Sequence, residues 1–232
     1  MTTLQNYEYD TLPKYGTCAI IGKRGTGKTS LCRNLVQSQL SQKNISHTYI
    51  ICHPQKLYEW KDKLNTQNIS YHHVIDDFLI AQMELKINLN EKIIIVIDDF
   101  FSKKNQNYKI FELKALRFIT YQYLSFVSIN YINIIFFLRE NNNCAVSEIY
   151  LTIKKYFIDV PTYEDFVKIF FTVTQNFSAL VVDGCYFKLF RINANDIITQ
   201  YKPNNDYIIE SVDFILRKFN KVKFITGFEI LI

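Results

Sequence analysis

A cluster of glycines near the amino terminus constrains this chain more than any other feature. Three of the six glycines in 232 residues, Gly22, Gly25 and Gly27, lie within six positions of one another. They belong to the segment GKRGTGKT, residues 22–29, which fits the pattern GxxxxGK[ST] at every fixed position. A β-type run precedes the segment, and apolar spacing typical of a helix follows it. The sequence therefore predicts a strand–loop–helix unit whose backbone N–H groups turn inward around a phosphate.

Each position of this loop has a physical task. Lys28 is predicted to place its charge on the β- and γ-phosphate oxygens of ATP, and Thr29 to offer a hydroxyl to Mg²⁺. The helix that begins near Lys28 adds the positive end of its dipole. The side chains of Lys23 and Arg24 lie at the loop mouth, either as phosphate contacts or as solvated surface charge. The predicted nucleotide-binding residues are Gly22, Lys23, Arg24, Gly25, Thr26, Gly27, Lys28, Thr29 and Ser30.

A pair of acids follows the most emphatic strand of the sequence. Residues 93–97 (IIIVI) are continuous and β-branched, which is typical of a parallel strand buried on both faces. They end at Asp98 and Asp99. Asp98 is predicted to hold Mg²⁺ together with Thr29, and Asp99 to orient or deprotonate an attacking water. The second acid favours ATP hydrolysis over phosphorylation of a small substrate.

Strands and helices alternate along most of the chain, which predicts an α/β fold with a mainly parallel central sheet flanked by helices. Residues 108–123 are interpreted as a helix, residues 132–138 as a buried strand, and residues 179–191 as a β-hairpin. A similar acidic sequence after residue 75 is interpreted differently, with Asp76 capping a helix. We expect a P-loop domain over residues 1–192 and an appendage over 193–232, consisting of a linker, a helix and a strand.

Composition narrows the class of protein. A hydrophobic fraction of 48% and a charged fraction of 21% exclude intrinsic disorder and coiled coil. The net charge of +5 is compatible with a phosphate-rich partner. Five cysteines without a CxxC pair indicate a reducing intracellular compartment. The uncharged residues 118–138 are long enough to span a bilayer, but their polar side chains favour a helix end followed by a buried strand, so we expect no membrane span.

The motifs in their order resemble a known family. IIGKRGTGKTSL, IIIVIDDF, NIIFFL and ALVVDGCYFKLFR together are similar to the genome-packaging ATPases of large DNA viruses and virophages, the poxvirus-type enzymes of the FtsK–HerA superfamily of P-loop NTPases. The resemblance covers residues 17–191. It implies a RecA-like core with ATP and Mg²⁺, in which Lys28, Asp98 and Asp99 are catalytic. It also implies a homo-oligomeric ring, expected to be a hexamer, that pumps double-stranded DNA into a preformed capsid at its portal vertex, in the host cytoplasm (the viral factory) or the virion.

Two departures from the family concern arginine. Family members commonly carry a γ-phosphate-sensing Gln after the strand that matches residues 132–138, where this chain has Arg139. We expect that strand beside the strand of the acids, so Arg139 is a candidate catalytic residue, for sensing or for contact with a neighbour's ATP. The stretch that usually supplies the trans arginine has none here. Arg117 and Arg191 are the other candidates, and a surface pair between Arg139 and Glu140 is the alternative.

Other functions stay open at the level of sequence. This chain has no clear Arg-rich lid, which a nucleotide kinase would need. It also has no NKxD motif, which a GTPase uses to bind guanine. A nucleotide-binding virion assembly protein without turnover is the alternative from another class. Candidate DNA contacts are scattered lysines that read backbone charge, namely Lys103, Lys104, Lys154, Lys155, Lys218, Lys221 and Lys223.

Overall fold

The strands of the described chain all belong to one sheet. The computed structural model describes residues 12–42, 44–61, 63–64, 68–100, 108–123, 131–156, 162–183 and 188–193. In these ranges the strands are β1 (Gly16–Ile21), β2 (His47–Cys52), β3 (Ile69–His72), β4 (Ile93–Asp98), β5 (Leu116–Tyr121), β6 (Ile134–Phe137), β7 (Ser178–Asp183) and β8 (Lys188–Asn193).

Over the residues described, the sheet has eight strands in the order β3-β2-β4-β5-β1-β6-β7-β8. The first six strands in this order run parallel to one another. At one edge, β7 pairs antiparallel with β6, and β8 pairs antiparallel with β7. Parallel strands need crossover connections, which cover both faces with helices and bury the strands completely. All six residues of β4 and all six of β5 are accordingly buried.

Six helices of the described chain cover the sheet, and they divide the core into two layers. They are α1 (Lys28–Gln42), α2 (Leu57–Trp60), α3 (Asp77–Asn88), α4 (Lys109–Glu112), α5 (Asn143–Tyr156) and α6 (Tyr163–Val173). The helices α1 and α2 pack on one face with side chains such as Phe118 and Phe136. The helices α3 to α6 pack on the other face with residues such as Ile97 and Phe137. Each large apolar side chain buried in this way stabilises the fold by roughly 1.5–3 kcal/mol.

The predicted fold class is confirmed. The strand–loop–helix unit consists of β1 and α1, and the predicted hairpin is the antiparallel pair β7–β8. Asp76 is the N-cap of α3, where its carboxylate accepts a hydrogen bond from the backbone N–H of Leu79 at 2.8 Å. The predicted appendage beyond residue 193 lies outside the described residues. Among the residues described, no helix is long and apolar enough to cross a bilayer.

The helix predicted over residues 108–123 is wrong. Only Lys109–Glu112 is helical there, and residues 116–121 form β5 in the centre of the sheet. A short apolar run cannot be assigned to a strand or a buried helix by periodicity alone. The β-branched and aromatic side chains of residues 118–121 suit a pleated sheet. The segment forms a strand because it pairs with β4 on one side and β1 on the other.

The segment after β2 combines a turn with a short helix. A 3-10 turn over Pro54–Lys56 comes first, and α2 ends at Trp60. Lys61 is already extended, with ψ of 142°. This turn and helix bring two side chains to the edge of the sheet where the loop and the acids meet.

Candidate functional site

The site lies at the carboxyl edge of the parallel strands. The described residues that directly follow β1, β2, β4, β5 and β6 lie at this edge, as is usual for ligand sites of open α/β sheets. The glycine-rich loop follows β1, and the acids follow β4. Because β5 separates these two strands, its Thr120 lies between the loop and the acids in the sheet. The fold therefore brings together the two motifs predicted from sequence.

The loop conformation needs its glycines for two different reasons. Gly25 has φ of 81°, a left-handed conformation that side chains rarely adopt, although nothing lies within 4 Å of a Cβ built there. Gly22 is limited by space, since a Cβ would lie 2.7 Å from the Thr26 hydroxyl and 2.8 Å from the Leu138 Cβ. The first glycine thus permits close packing of the loop against the segment after β6.

Lys28 and Thr29 begin α1 and point to the acids. The Lys28 ammonium is 4% exposed; it donates to the Lys23 carbonyl at 3.0 Å and lies 3.8 Å from Asp99 Oδ2. Burial lowers the pKa of Lys28, and the charge of Asp99 partly offsets this effect. The Thr29 hydroxyl donates to Asp98 Oδ2 at 3.0 Å. Ser30 is half-buried in the same first turn of the helix.

Asp98 is fully buried and surrounded by donors. The Thr120 hydroxyl donates to Oδ1 at 2.6 Å, and the Trp60 indole N–H donates to Oδ2 at 2.9 Å. The Lys56 ammonium lies 3.6 Å from Oδ1. A buried carboxylate is costly unless its oxygens are hydrogen-bonded and its charge is balanced. These contacts meet that requirement and fix both oxygens of Asp98.

Asp99 is more accessible and is held differently. Its backbone N–H donates to the Thr120 hydroxyl at 2.8 Å, and its φ is 50°. The Lys56 ammonium donates to Asp99 Oδ2 at 2.6 Å. Burial pushes the pKa of Lys56 down, but the charge of Asp98 and the hydrogen bond to Asp99 outweigh it and raise the pKa. Lys56 therefore stays protonated beside the two acids.

Three of these residues were missed at the sequence level: Lys56, Trp60 and Thr120. Lys56 and Trp60 are four positions apart, the spacing that places side chains on one helix face. The only tryptophan of the chain is fully buried. A lone Trp four residues after a Lys in a segment that follows a strand was the one available signal. Thr120 had none, because its strand was interpreted as a helix.

The prediction that the strand of residues 132–138 lies beside the strand of the acids is also wrong. The strand β6 pairs with β1 and not with β4; β4 lies between β2 and β5. The residue that follows β5 is the exposed Gln122. A glutamine thus follows the strand between the loop strand and the acid strand, the position at which sequence reasoning had placed Arg139.

Arg139 lies on the far side of the loop. Its guanidinium donates to the Phe171 carbonyl of α6 and to Asn141 Oδ1, both at 2.9 Å, and stacks over the Phe171 ring at 4.8 Å from the centroid. Glu140 pairs with Lys23 of the loop at 2.7 Å, not with Arg139. The catalytic role of Arg139 stays a prediction.

The other arginines differ in their access to a neighbouring chain. Arg117 is 6% exposed, and its guanidinium donates to the Thr17 hydroxyl at 2.9 Å and to the carbonyls of Ile110 and Leu113. It lies near the amino end of β5, away from the loop. Arg24 is exposed in the loop itself, and the side chain of Arg191 lies outside the described set. Arg117 is thus a structural residue.

Comparison with known proteins points to an NTPase family. The family model described as Novel STAND NTPase 3 matches residues 4–142, more than half of the chain and both nucleotide motifs. The chain is also 24% identical to the uncharacterized protein L666 of Acanthamoeba polyphaga mimivirus, with 92% of each sequence covered.

Solved structures share the fold. The DNA-packaging ATPase B204 of Sulfolobus turreted icosahedral virus superposes with a TM-score of 0.54 at 14% identity, over 77% of this chain and 97% of that one. The B204 of virus 2 with AMPPCP gives 0.55 at 13% identity, over 78% and 98%. ATPases 2 and 3 of EssC from Geobacillus thermodenitrificans give 0.52 at 14% identity, over 95% of this chain and 51% of that one. The resemblance found in the motifs is confirmed at the level of the fold.

Proposed function

Because the chain belongs to the Novel STAND NTPase 3 family, we propose that it is a Mg²⁺-dependent ATPase that moves viral double-stranded DNA into a capsid. The observation that carries the ATPase is the convergence of Lys28, Thr29, Asp98 and Asp99. Thr29 contacts Asp98 directly, and Lys28 lies 3.8 Å from Asp99. Residues from two motifs far apart in sequence thus face one another across the predicted phosphate site.

The donor set fits Mg²⁺. The Thr29 hydroxyl and the Asp98 carboxylate are hard oxygen ligands with 3.0 Å between their oxygens. These two residues would hold the ion, Thr29 directly and Asp98 through its water shell. When bound, the ion neutralises the charge that develops on the phosphate oxygens. Trp60 and Thr120 fix the Asp98 carboxylate for this task.

The other residues act on the phosphate and on the attacking water. Lys28 binds the β- and γ-phosphate oxygens, and the loop N–H groups cradle the phosphates. The Asp99 carboxylate orients the water or takes its proton. Asp99 suits this task because its side chain is 16% exposed, whereas that of Asp98 is fully buried. Gln122 is the candidate that senses the γ-phosphate, since it follows the strand between the loop and the acids.

The DNA-packaging role is supported by fold similarity, a viral relative and net charge rather than by site geometry. B204 is described as a DNA-packaging ATPase and shares the fold, and a mimivirus protein is similar over nearly the whole chain. The net charge of +5 suits binding to DNA through contacts with its backbone phosphates. We propose a homo-oligomeric ring, expected to be a hexamer, acting at a capsid portal in the host cytoplasm or the virion. Lys154 and Lys155 are exposed in the last turn of α5 and are candidate DNA contacts.

Hydrolysis of ATP with and without double-stranded DNA tests the proposal. We expect Mg²⁺-dependent turnover that DNA of unrelated sequences stimulates equally. Lys28→Ala should weaken ATP binding and abolish turnover, while Asp99→Asn should keep binding and lower turnover to a small residual rate. Normal binding after loss of Lys28 would contradict the loop assignment. Turnover that DNA leaves unchanged would favour a nucleotide kinase, and binding without turnover an assembly protein.

A further inference from the structure

Lys56 makes the shortest contact to the proposed general base. Its ammonium lies 2.6 Å from Asp99 Oδ2, whereas the Lys28 ammonium lies 3.8 Å from the same oxygen. Lys28 also has another acceptor, the Lys23 carbonyl at 3.0 Å. The Lys56 side chain is 26% exposed and that of Asp99 16% exposed, so water screens their attraction only in part. Lys56 is therefore the main partner of the Asp99 carboxylate.

The segment that carries Lys56 is anchored at several points. The Lys56 backbone N–H donates to the His53 carbonyl at 2.8 Å, which closes the 3-10 turn that begins at Pro54. One turn later, Trp60 is fully buried and donates to Asp98. The Arg33 guanidinium of α1 donates to the Glu59 carbonyl at 3.0 Å. A side chain on such a support has few alternative positions.

Asp99 itself needs an external support. It follows the last residue of β4 and has a left-handed backbone, so the sheet ladder does not orient its side chain. The Thr120 hydroxyl accepts from its backbone N–H at 2.8 Å but lies 3.4 Å from its carboxylate. A displacement of about 1 Å in a reacting group costs roughly 10²-fold in rate. The orientation of this carboxylate therefore depends on Lys56.

We propose that Lys56 is a positioning residue that holds the Asp99 carboxylate in place for the attack of water. This inference rests on the proposed ATPase function. Lys56 acts through Asp99 and not on the phosphate, because its ammonium lies on the acids rather than on the glycine-rich loop. Its role thus differs from that of Lys28, whose position in the loop predicts a direct contact with the nucleotide.

A double-mutant cycle tests the proposal. Lys56→Met keeps the apolar stem and removes the charge. We expect it to lower kcat at least ~10-fold while the dissociation constant for Mg-AMPPCP changes less than ~3-fold, as for an interaction that acts on the chemical step. In the Asp99→Asn background the same substitution should have no further effect, since coupled residues are not additive. Lys56→Arg, which keeps the charge, should restore most of kcat.

Several controls keep these outcomes distinct. Fluorescence of Trp60, the single tryptophan, reports folding and Mg-AMPPCP binding without turnover. Lys63→Ala changes an exposed lysine of the same segment and should leave kcat unchanged. If Lys56→Met does not fold, Lys56→Gln serves in its place. An equal loss of kcat in both backgrounds, an unchanged kcat, or binding weakened ~10-fold would overturn the role of Lys56. A wild-type chain that does not hydrolyse ATP would overturn the proposed function itself.

Discussion

Asp98 and Asp99 are adjacent in sequence but have different surroundings, and this difference separates their proposed tasks. Asp98 ends β4, is fully buried and contacts four side chains. Asp99 lies past the strand, with its carboxylate partly exposed beside Lys56. A rigid, saturated carboxylate suits a metal's water shell, whereas an accessible one suits proton transfer. The division of labour predicted from sequence is thus consistent with burial and hydrogen bonding.

Gln122 offers a test of the sensor position. Its backbone follows β5, which pairs with both β1 and β4. An amide there is expected to contact a phosphate oxygen mainly in the transition state. We expect Gln122→Ala to lower ATP turnover at least ~10-fold with little change in ATP affinity. Steady-state kinetics and Mg-AMPPCP titration measure the two quantities. Tyr123→Ala at the next exposed position is the control, and equal losses in both variants would refute a specific role for Gln122.

At the scale of elements, Arg117 joins the central strand β5 to its neighbours. The guanidinium bonds Thr17 of β1 and the carbonyls of Ile110 and Leu113 in and after α4. Burial lowers the pKa of Arg117 to about 10. Its partners are a hydroxyl and two carbonyls, so its loss would leave buried acceptors unsatisfied. The connection is therefore expected to stabilise the sheet and not to act on ATP.

Substitution of Arg117 tests this structural role. Arg117→Met should reduce the free energy of unfolding by about 2–4 kcal/mol, because unsatisfied buried polar groups cost about 1–3 kcal/mol each. Turnover per folded chain should stay close to the wild-type value. Urea unfolding and turnover of the same preparation provide both numbers. A stable variant without activity would instead contradict a purely structural role for Arg117.

At the scale of the whole molecule, the proposed ring predicts cooperation between chains. Arg139 is tied to α6 and lies on the opposite side of β1 from the acids. If Arg139 contacts a neighbour's ATP, Arg139→Ala should lower turnover at least ~10-fold, since arginine fingers contribute about 10³–10⁵ in rate. Mixing it with Lys28→Ala should restore part of the activity, because some interfaces then combine an intact loop with an intact arginine.

The same hypothesis predicts a concentration dependence. Activity per chain should rise steeply across the range in which light scattering detects assembly, or when DNA is added. A flat specific activity across that range would contradict the ring. An Arg139→Ala loss that mixing does not relieve would assign the residue to its own chain's site.

The sequence by itself determined which residue types form the candidate site, and most of the local structure. The glycine-rich loop and the acids are recognisable because their tasks require particular residue types at fixed spacing. The strands β1, β2 and β4 are equally clear, since long β-branched runs suit buried parallel strands. These predictions depend on neighbours in the chain, which a single sequence contains.

Only the tertiary structure decided which elements lie side by side. The strand β5 carries an ambiguous apolar run, and its place between β4 and β1 follows from packing rather than from propensity. This position of β5 brings Thr120 and Gln122 to the site and separates Arg139 from the acids. Lys56 and Trp60 meet Asp98 and Asp99 because β2 pairs with β4 in register, Cys52 beside Asp98. Pairing of this kind joins residues about forty positions apart, and no local pattern encodes it.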